Sequence, residues 1–582
     1  NCNMLTEINL PDDITSIGSY AFYNCSGLTK IQVPDSVTEI GDNAFNGCDG
    51  ISIITAPTIV IPYLTNKTNL RIVTLTSGDS ISQNTFYNCH NLEAVTLSDS
   101  ITSIGSYAFY NCEQLKEIII PNNITSIGSY TFYNCSGLTK IEIPDSVTSI
   151  EDYTFSGCSG LTELVIPDNV KSIGSYAFYN CSRLTEIEIP GGVTSIRDYA
   201  FSGCSGLTEL VIPDSVKSIG QGAFSGCSNL ESITLPFVGD SAKTATDTYQ
   251  YPFGYVFGTG SYTGGVRVQQ SYRGSSTSST MTTSYYIPTT LRSVTITGGN
   301  ILYGAFYNCN MLTEINLPDD ITSIGDYAFY SCSGLTEIEI PDSVTSIGDY
   351  AFSGCSRLTD IIIPKNVTSI GDRAFYDCEN LAEIYNKSTL NLTIGSTEYG
   401  YVAYYAKHIY TQDGDSWITE TEDGFRFLYD GTNGYLLGYY GNETSVVLPD
   451  SFLAYDGTEI TEYEINDSAF RNRSDIISVY IPGSVKRIGN SAFYDCSNLT
   501  SVVISDGVTV IGNYAFINCS GLEEIIIPDS VDYLGVAVFS GCHNVTHIEI
   551  SGGLKNLPAE TFRDCRNLAS ITIPVNITAI DR

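Results

Sequence analysis

The stretch Leu161–Cys181, which reads LTELVIPDNVKSIGSYAFYNC, decides the fold. Apolar Leu164 and Ile166 alternate with residues that would face solvent, which is the two-residue period of a strand with one buried face. Pro167 cannot donate a hydrogen bond to a sheet, so it ends that strand. The remainder turns back and inserts Phe178 from the opposite side. One such coil cannot bury its apolar residues alone and needs a neighbour above and below.

The coil repeats along the chain, and its cysteines mark the period. Neighbouring cysteines lie 23 residues apart within four runs, which are Cys2–Cys48, Cys89–Cys227, Cys309–Cys378 and Cys496–Cys565. Disulfide frameworks have irregular spacings, whereas a fixed period of about 20 to 29 residues is typical of a leucine-rich-repeat solenoid. We therefore predict a β-rich, right-handed leucine-rich-repeat superhelix of such coils, with a shared parallel sheet.

The cysteines themselves are expected to be reduced. Stacking would place each one about 4.8 Å from the next, which is the strand spacing of a sheet. Parallel side chains at this distance lie slightly beyond the Cβ separation of a disulfide, about 3.5 to 4.5 Å. Free cysteine packs as a small hydrophobic group, and no two cysteines share a metal-chelating loop. The ladder is therefore predicted to be structural.

Several coils follow the pattern Cys-x-x-Leu-x-x-Ile-x-Ile-Pro-x-x-Val-x-x-Ile-Gly-x-x-Ala-Phe. Clear copies run Leu138–Cys158, Leu184–Cys204, Leu335–Cys355 and Leu499–Cys519. This pattern resembles the BspA-like, or Treponema-type, leucine-rich repeats. The resemblance implies a cell-surface or secreted microbial protein, often an adhesin for host or neighbouring-cell components. It brings no catalytic residues with it.

Two inserts interrupt the first part of the repeat, at about 55–68 and 237–288. The second is rich in Gly, Ser, Thr and Tyr, and we predict that it is a side-mounted recognition element outside the core. Replacing Ser241–Ser284 by a short linker is then expected to preserve the array. Its aromatic residues could instead simply pack the loop against the flank of the solenoid.

A longer break separates Cys378 from Cys496 and contains a predicted β-hairpin, because two apolar and aromatic segments flank a turn at Asp430–Gly434. After it, Arg473 occupies a cysteine position. The predicted organisation is a first array, a capping or linking hairpin module and a second array, over 1–410, 411–470 and 471–582. The chain starts and stops within a repeat, so we expect the natural protein to be longer and this second array to be truncated.

Composition excludes several classes of partner. The chain has 64 acidic and 27 basic residues, for a net charge of −37. Binding to nucleic acid or to an anionic membrane needs a cluster of Lys and Arg, and the sequence has no such cluster. The sequence contains no stretch of about 18 apolar residues, which is the length that a bilayer-spanning helix needs. Any signal peptide or anchor is expected to lie outside this segment.

Residues for catalysis are sparse. The chain has four histidines, no Gly-x-Ser-x-Gly motif and no phosphate-binding glycine loop. The ladder accounts for every cysteine, which leaves none as a nucleophile. We expect no enzyme, no cofactor and no metal centre, and Ca²⁺ binding to the acidic column is the one case left open.

Two surface rows are candidates for partner binding. One is an acidic column on the exposed side of the sheet, represented by Glu163, Glu186, Glu209 and Glu337. Like charges on neighbouring strands are destabilising, so the column is either kept for a cationic partner or is only a solvated face.

The other row is aromatic, with tyrosine at the same position of successive coils. Tyrosine is common in interfaces, so this row is a candidate contact surface. It includes Tyr153, Tyr176 and Tyr199, and the candidates in the second insert are Tyr251, Phe253, Tyr255 and Phe257. Tyrosines that stack from coil to coil would also stabilise a solenoid without binding anything.

We therefore predict an extracellular, non-catalytic and monomeric adhesion or recognition protein. It would bind proteins or glycans of a host or neighbouring cell along its faces and inserted loops. The alternative is a non-binding spacer or surface-coat scaffold that holds other domains. An enzyme hidden in the inserts has the least support.

Overall fold

The computed structural model describes residues 2–276, 278–411, 416–550 and 552–581. The chain divides into two compact units, Asn1–Ile321 and Thr322–Arg582. Most coils contribute two short strands to two separate parallel sheets. We call the strand before the proline the front strand and the strand formed by the Thr-Ser-Ile segment, or its equivalent, the back strand.

The first unit contains both kinds of strand. Its front strands are Glu7–Asn9, Lys30–Gln32, Ile53–Ala56, Ile72–Leu75, Ala94–Thr96, Glu117–Ile119, Lys140–Glu142, Glu163–Val165, Glu209–Val211, Ser232–Leu235, Ser293–Ile296 and Glu314–Asn316. Its back strands are Ser16–Ile17, Glu39–Ile40, Ser80–Ile81, Ser103–Ile104, Ser126–Ile127, Ser149–Ile150, Ser172–Ile173, Ser195–Ile196 and Ser218–Ile219. Pairing joins equivalent residues of successive coils.

The second unit repeats this plan. Its front strands are Asp360–Ile363, Glu383–Asn386, His408–Tyr410, Ser445–Val447, Ser478–Ile481, Ser501–Ile504, Glu524–Ile527, His547–Ile550 and Ser570–Thr572. Its back strands are Ser323–Ile324, Ser346–Ile347, Ser369–Ile370, Tyr463–Ile465, Val485–Ile488, Val510–Ile511, Tyr533–Leu534, Asn556–Leu557 and Ala579–Ile580. Together the two units confirm the predicted parallel β-solenoid.

Each coil buries the side chains that the alternation predicts. In the strand Glu163–Val165 only the central leucine is buried. Pro167 ends the strand and accepts a 3.0 Å hydrogen bond from the N–H of Val170, which closes the first corner. The outward positions of the front strand are consequently free to vary without disturbing the core.

A ladder of phenylalanine rings fills the opposite side of the core. Phe132, Phe155 and Phe178 are fully buried, and successive ring centroids are 5.5 Å apart. The N–H of Phe155 donates to the carbonyl of Ala177 in the next coil at 2.8 Å. Stacked rings and main-chain hydrogen bonds therefore join the coils along the same line.

The cysteines complete this ladder as free thiols, as predicted. The carbonyl of Phe155 accepts a hydrogen bond from the N–H of Cys158 at 3.1 Å. It accepts a second from the thiol of Cys181, one coil further on, at 3.3 Å. In the regular coils the buried thiol thus donates to a carbonyl of the preceding coil. A disulfide would remove this hydrogen bond.

The first insert replaces a phenylalanine turn by the 3₁₀ helix Thr58–Tyr63. Val60 and Ile61 of this helix are buried in the core. The side chain of Lys67 reaches the carbonyl of Thr85 at 2.8 Å and ties the insert to the next coil. The insert is therefore a shortened coil with its own core residues.

The second insert is not side-mounted as predicted, because part of it is a piece of the core. It contains the 3₁₀ helix Phe253–Phe257 and the antiparallel strands Gly265–Arg273 and Thr280–Pro288. Phe224 donates its N–H to the carbonyl of Val256 at 2.9 Å, and Phe253 donates its N–H to Ala305 at 2.8 Å. The helix thus bridges two coils, and deleting residues 241–284 would open the core.

Gln270 of this insert links the insert to the coil that carries Cys309 through buried hydrogen bonds. Its side chain is fully buried. It donates to the carbonyl of Tyr307 at 2.9 Å and to Cys309 Sγ at 3.2 Å, and it accepts from the N–H of Gly254 at 2.8 Å. Composition did not indicate this residue, because its partners are distant in sequence.

In the second unit the predicted hairpin is present. Phe425–Tyr429 pairs antiparallel with Gly434–Tyr439, and Ile418–Glu420 adds a third strand. Gly434–Tyr439 also pairs in parallel with the back strand Tyr463–Ile465, so the hairpin continues the back sheet.

Arg473, at a cysteine position, is buried and donates to the carbonyl of Gly441 at 3.3 Å. It also pairs with Asp475 at 2.7 Å. The compact units divide at residue 321, inside the predicted first array, and the predicted boundaries at 410 and 470 remain predictions.

Alkylation distinguishes free thiols from disulfides. Burial raises the pKa of Cys89 and Cys158 to about 12, so buried thiols should resist iodoacetamide in the native protein at pH 8, whereas exposed Cys2 should react. After denaturation without reductant, nearly all 18 cysteines should be labelled. Mass spectrometry that finds several cysteines linked between adjacent coils would contradict the thiol ladder.

Gln270→Leu tests the integration of the second insert. Leucine leaves the N–H of Gly254 and the carbonyl of Tyr307 without their partner, which should lower the free energy of unfolding by about 1–3 kcal/mol. Gln269→Leu is the matched control, because Gln269 is exposed and surface changes stay within about 0.5 kcal/mol. Equal melting temperatures for the two variants would mean that the insert does not support the core.

Candidate interaction surfaces

The predicted acidic column lies on the front of the coils. Glu163, Glu186 and Glu209 are all exposed and line one shallow groove. Beside them, Val165 and Val211 remain 68% and 49% exposed. We call these five residues, together with Glu188, the acidic face. It combines a dense carboxylate row with apolar side chains that no part of the coil covers.

The middle coil of the acidic face has lost its front strand. Residues 185–189 form no strand, and within the described part of the chain none of them makes a main-chain hydrogen bond. The back strand of the same coil, Ser195–Ile196, pairs with both of its neighbours. The coil is therefore closed at the back and open at the front.

Sequence accounts for this opening. The segment Leu184–Pro190 reads LTEIEIP, and the same seven residues recur at Leu335–Pro341, which also lacks a regular front strand. Among the 23-residue coils that the structure describes, these two carry glutamate at both outward positions. Like charges that face each other across a strand pair are destabilising, so the carboxylates oppose pairing there.

Coils with a basic residue in the column behave differently. The Nζ of Lys140 lies 3.7 Å from Oε2 of Glu163, and the Nζ of Lys30 lies 3.0 Å from Oε1 of Glu7. Both ion pairs join strands that are hydrogen-bonded to each other. Charge does not explain every gap, because the front sheet also breaks between Glu117–Ile119 and Lys140–Glu142.

In the second unit the column ends differently. Glu337 is exposed, but Glu383, two coils later, is fully buried. Its carboxylate accepts hydrogen bonds from the hydroxyls of Tyr385 and Tyr410 at 3.1 and 3.0 Å and from the N–H of Trp417 at 2.8 Å. Burial and this carboxylate raise the pKa of both tyrosines. Glu383 is therefore structural and not part of a binding surface.

The tyrosine row is a stack of half-buried rings. The centroids of Tyr153, Tyr176 and Tyr199 are 4.7 and 5.0 Å apart and nearly parallel. Stacking covers the ring faces, so these residues present edges and hydroxyl groups to solvent. Their φ angles are 55–57°, a conformation that bulky residues rarely adopt.

Other coils fill the same position with Asn84, Ser468 or Ala537, also at positive φ. The fold therefore does not require tyrosine there, and the row stays a candidate surface.

The aromatic candidates of the second insert separate into two groups. Phe253 and Phe257 are fully buried, so their prediction as contact residues is wrong; they pack against the phenylalanine ladder, with Phe253 5.2 Å from Phe306. Tyr251 and Tyr255 are half-buried and stack at 4.4 Å. The second pair does not lie on the acidic face and forms a separate aromatic patch.

Two further properties concern metals and membranes. Among the residues described, no three His, Cys, Asp or Glu side chains are grouped closely enough to hold a metal ion. The same part of the chain contains no helix of the length and apolarity that crossing a bilayer requires.

Comparison with known protein families identifies the type of repeat. The chain matches the BspA type leucine rich repeat region, in six copies, over residues 1–77, 79–207, 148–246, 281–402 and 463–582. No curated protein gives a significant match.

Solved structures also resemble the chain. A leucine-rich repeat protein from Bacteroides ovatus is 30% identical, with 66% of this chain and 87% of that chain covered and a TM-score of 0.39. A leucine rich cell surface protein from Faecalibacterium prausnitzii is 22% identical over 88% and 87%, with a TM-score of 0.25. A T. pallidum leucine rich repeat protein is 27% identical over 31% and 79%, with a TM-score of 0.23. With most of its length matched by the repeat profile, the chain belongs to the BspA-type leucine-rich-repeat family.

Proposed function

We propose that the protein is an extracellular recognition protein that binds partner proteins through the acidic face. One observation carries the proposal, which is the open front of the coil Leu184–Pro190 between two exposed valines. A carboxylate row alone would serve solubility. Exposed apolar side chains within such a row serve solubility poorly, and they suit a contact surface.

The chemistry of the acidic face selects the partner. Its carboxylates complement Lys and Arg, and Val165 and Val211 offer apolar contact between them. Charge complementarity speeds encounter and suppresses wrong partners, while burial of apolar groups holds the complex. The expected partner surface is therefore basic at its rim and apolar at its centre.

The family resemblance supports the location and the biological role that we propose. Members of this type are expected at the surface of a microbial cell or in its surroundings, and adhesion to a host or neighbouring cell is the role we assign. A leucine-rich-repeat solenoid is typically a non-enzymatic scaffold, and we assign no catalytic activity to this one.

Charge reversal at the acidic face tests the proposal. The intact chain is applied to an array of extracellular-matrix proteins and glycans, in parallel with the triple variant Glu163→Lys, Glu186→Lys, Glu209→Lys. The variant should keep its fold, because these side chains are exposed, and should lose at least about tenfold in affinity for protein partners. Binding of the unmodified chain should also weaken as salt rises.

The matched control is Asp99→Lys, Asp145→Lys, Asp168→Lys, which changes net charge equally at exposed corner positions. Equal loss in both variants would show that only net charge matters. Binding to glycans alone, unchanged in both variants, would contradict the proposal. A chain that binds nothing on the array would favour the spacer role.

A further inference from the structure

The hairpin of the second insert forms a two-stranded sheet of its own. Gly265–Arg273 and Thr280–Pro288 pair antiparallel over nine residue pairs. Its lower part belongs to the core, where Tyr285 and Ile287 are buried. Its upper part, from Thr280 to Ser284, is exposed or half-exposed. The rest of the unit covers one edge of this upper part and leaves the other edge open.

The edge formed by Gly265–Arg273 is covered. Gln250 donates its N–H to the carbonyl of Arg273 at 3.0 Å. The side chain of Asn308 donates to the carbonyl of Gln269 at 2.8 Å. Gly304 lies so close to the carbonyl of Ser271 that a side chain there would collide with it. No further strand could join on this side.

The opposite edge is covered only at its lower end. There Tyr286 donates its N–H to the carbonyl of Gly258 at 3.0 Å, and its own carbonyl accepts the hydroxyl of Tyr262 at 3.1 Å. Alternate residues of an antiparallel strand direct their main-chain groups to the same edge. Thr280, Thr282 and Ser284 therefore point their N–H and C=O groups outward.

In the described part of the chain these groups have no main-chain partner. The free edge also lacks the devices that usually protect one. Exposed edge strands normally carry a charged residue, a proline or a bulge, because unpaired main-chain groups invite pairing with another chain. The segment Thr280–Ser284 reads TMTTS and has no charge and no proline, and its pairing register is regular.

Threonine favours extended structure, so the edge is already shaped as a strand. An unprotected edge of this kind, held rigidly by a buried base, is suited to accept a strand.

We propose that the edge Thr280–Ser284 accepts an extended segment of a partner protein as a third strand. Main-chain hydrogen bonds to Thr280, Thr282 and Ser284 would supply the affinity, as in other cases of strand addition. The edge strand carries no charge, so the complementary segment is uncharged and rich in β-branched residues. A second copy of the chain is disfavoured, because each copy carries a net charge of −37. This site is independent of the acidic face.

Hydrogen exchange with a defined probe tests the proposal. The probe is an end-capped synthetic peptide, Thr-Met-Thr-Thr-Ser-Tyr-Tyr, which is uncharged and prone to extended structure. Added to the full chain, it should slow exchange at the amides of Thr280, Thr282 and Ser284. The amides of Met281 and Thr283 pair within the hairpin and should be protected with or without peptide. Only strand addition predicts this alternation.

Two protein variants sharpen the test. Thr282→Pro removes an outward N–H on a free edge, where proline is tolerated, and should weaken peptide binding about tenfold or more. Thr282→Ala keeps that N–H and should bind as the unmodified chain does. Circular dichroism and the hydrogen-exchange protection of the Tyr285 amide report whether the hairpin is intact in both variants.

Four results would overturn the proposal. One is equal binding by the Thr282→Pro and Thr282→Ala variants with intact hairpins. Another is outward amides that are already protected in the monomeric chain without peptide. The third is sedimentation showing that the chain dimerises and that Thr282→Pro abolishes the dimer, which would make a second copy the occupant. Absence of peptide binding at millimolar concentration would also contradict it.

Discussion

The carbonyl of each ladder phenylalanine holds two coils together. In the regular coils it accepts the N–H of the cysteine that closes its own turn and the thiol of the cysteine in the following coil. Both donors are buried, so losing either would leave a carbonyl partly unsatisfied in a dry core. This constraint explains the constant spacing of the cysteines. Where the pattern breaks, other buried side chains bond main-chain carbonyls of neighbouring segments. Gln270 donates to the carbonyl of Tyr307, and Arg473 donates to that of Gly441.

With the core held from the back, the front of each coil is free to vary. Outward residues of the front strand contribute little to packing, which allows the acidic column to persist despite its repulsion. In the coil Leu184–Pro190, repulsion within the acidic column opposes pairing of the front strand. The coil stays in place because its back strand, Ser195–Ile196, pairs on both sides. The solenoid therefore tolerates an opened, charged surface that an isolated sheet would not. Such tolerance makes a solenoid suitable for recognition along its faces.

Sequence periodicity predicted the coil, the free thiols and the hairpin at Phe425–Tyr439, because each depends on contacts between residues one repeat apart or on local turn chemistry. It could not predict the burial of Phe253 and Gln270, since their partners Ala305 and Tyr307 are more than thirty residues away. The acidic column was visible from spacing alone, and the repeated LTEIEIP segment was a signal for the missing strands. The free edge at Thr280–Ser284 depends on which side the rest of the insert covers, which composition does not reveal.

The most direct test of the account is hydrogen exchange of the coil that carries the acidic face. Amides of residues 185–189 should exchange almost as fast as in an unfolded peptide, while those of Ser195 and Ile196 in the same coil stay protected. Neutralising the column with Glu186→Gln and Glu188→Gln should raise protection at 185–189 by allowing the front strand to pair. Protection at 185–189 equal to that of Ser195 and Ile196, which pair with both neighbouring coils, would contradict the claim that carboxylate repulsion opens this surface.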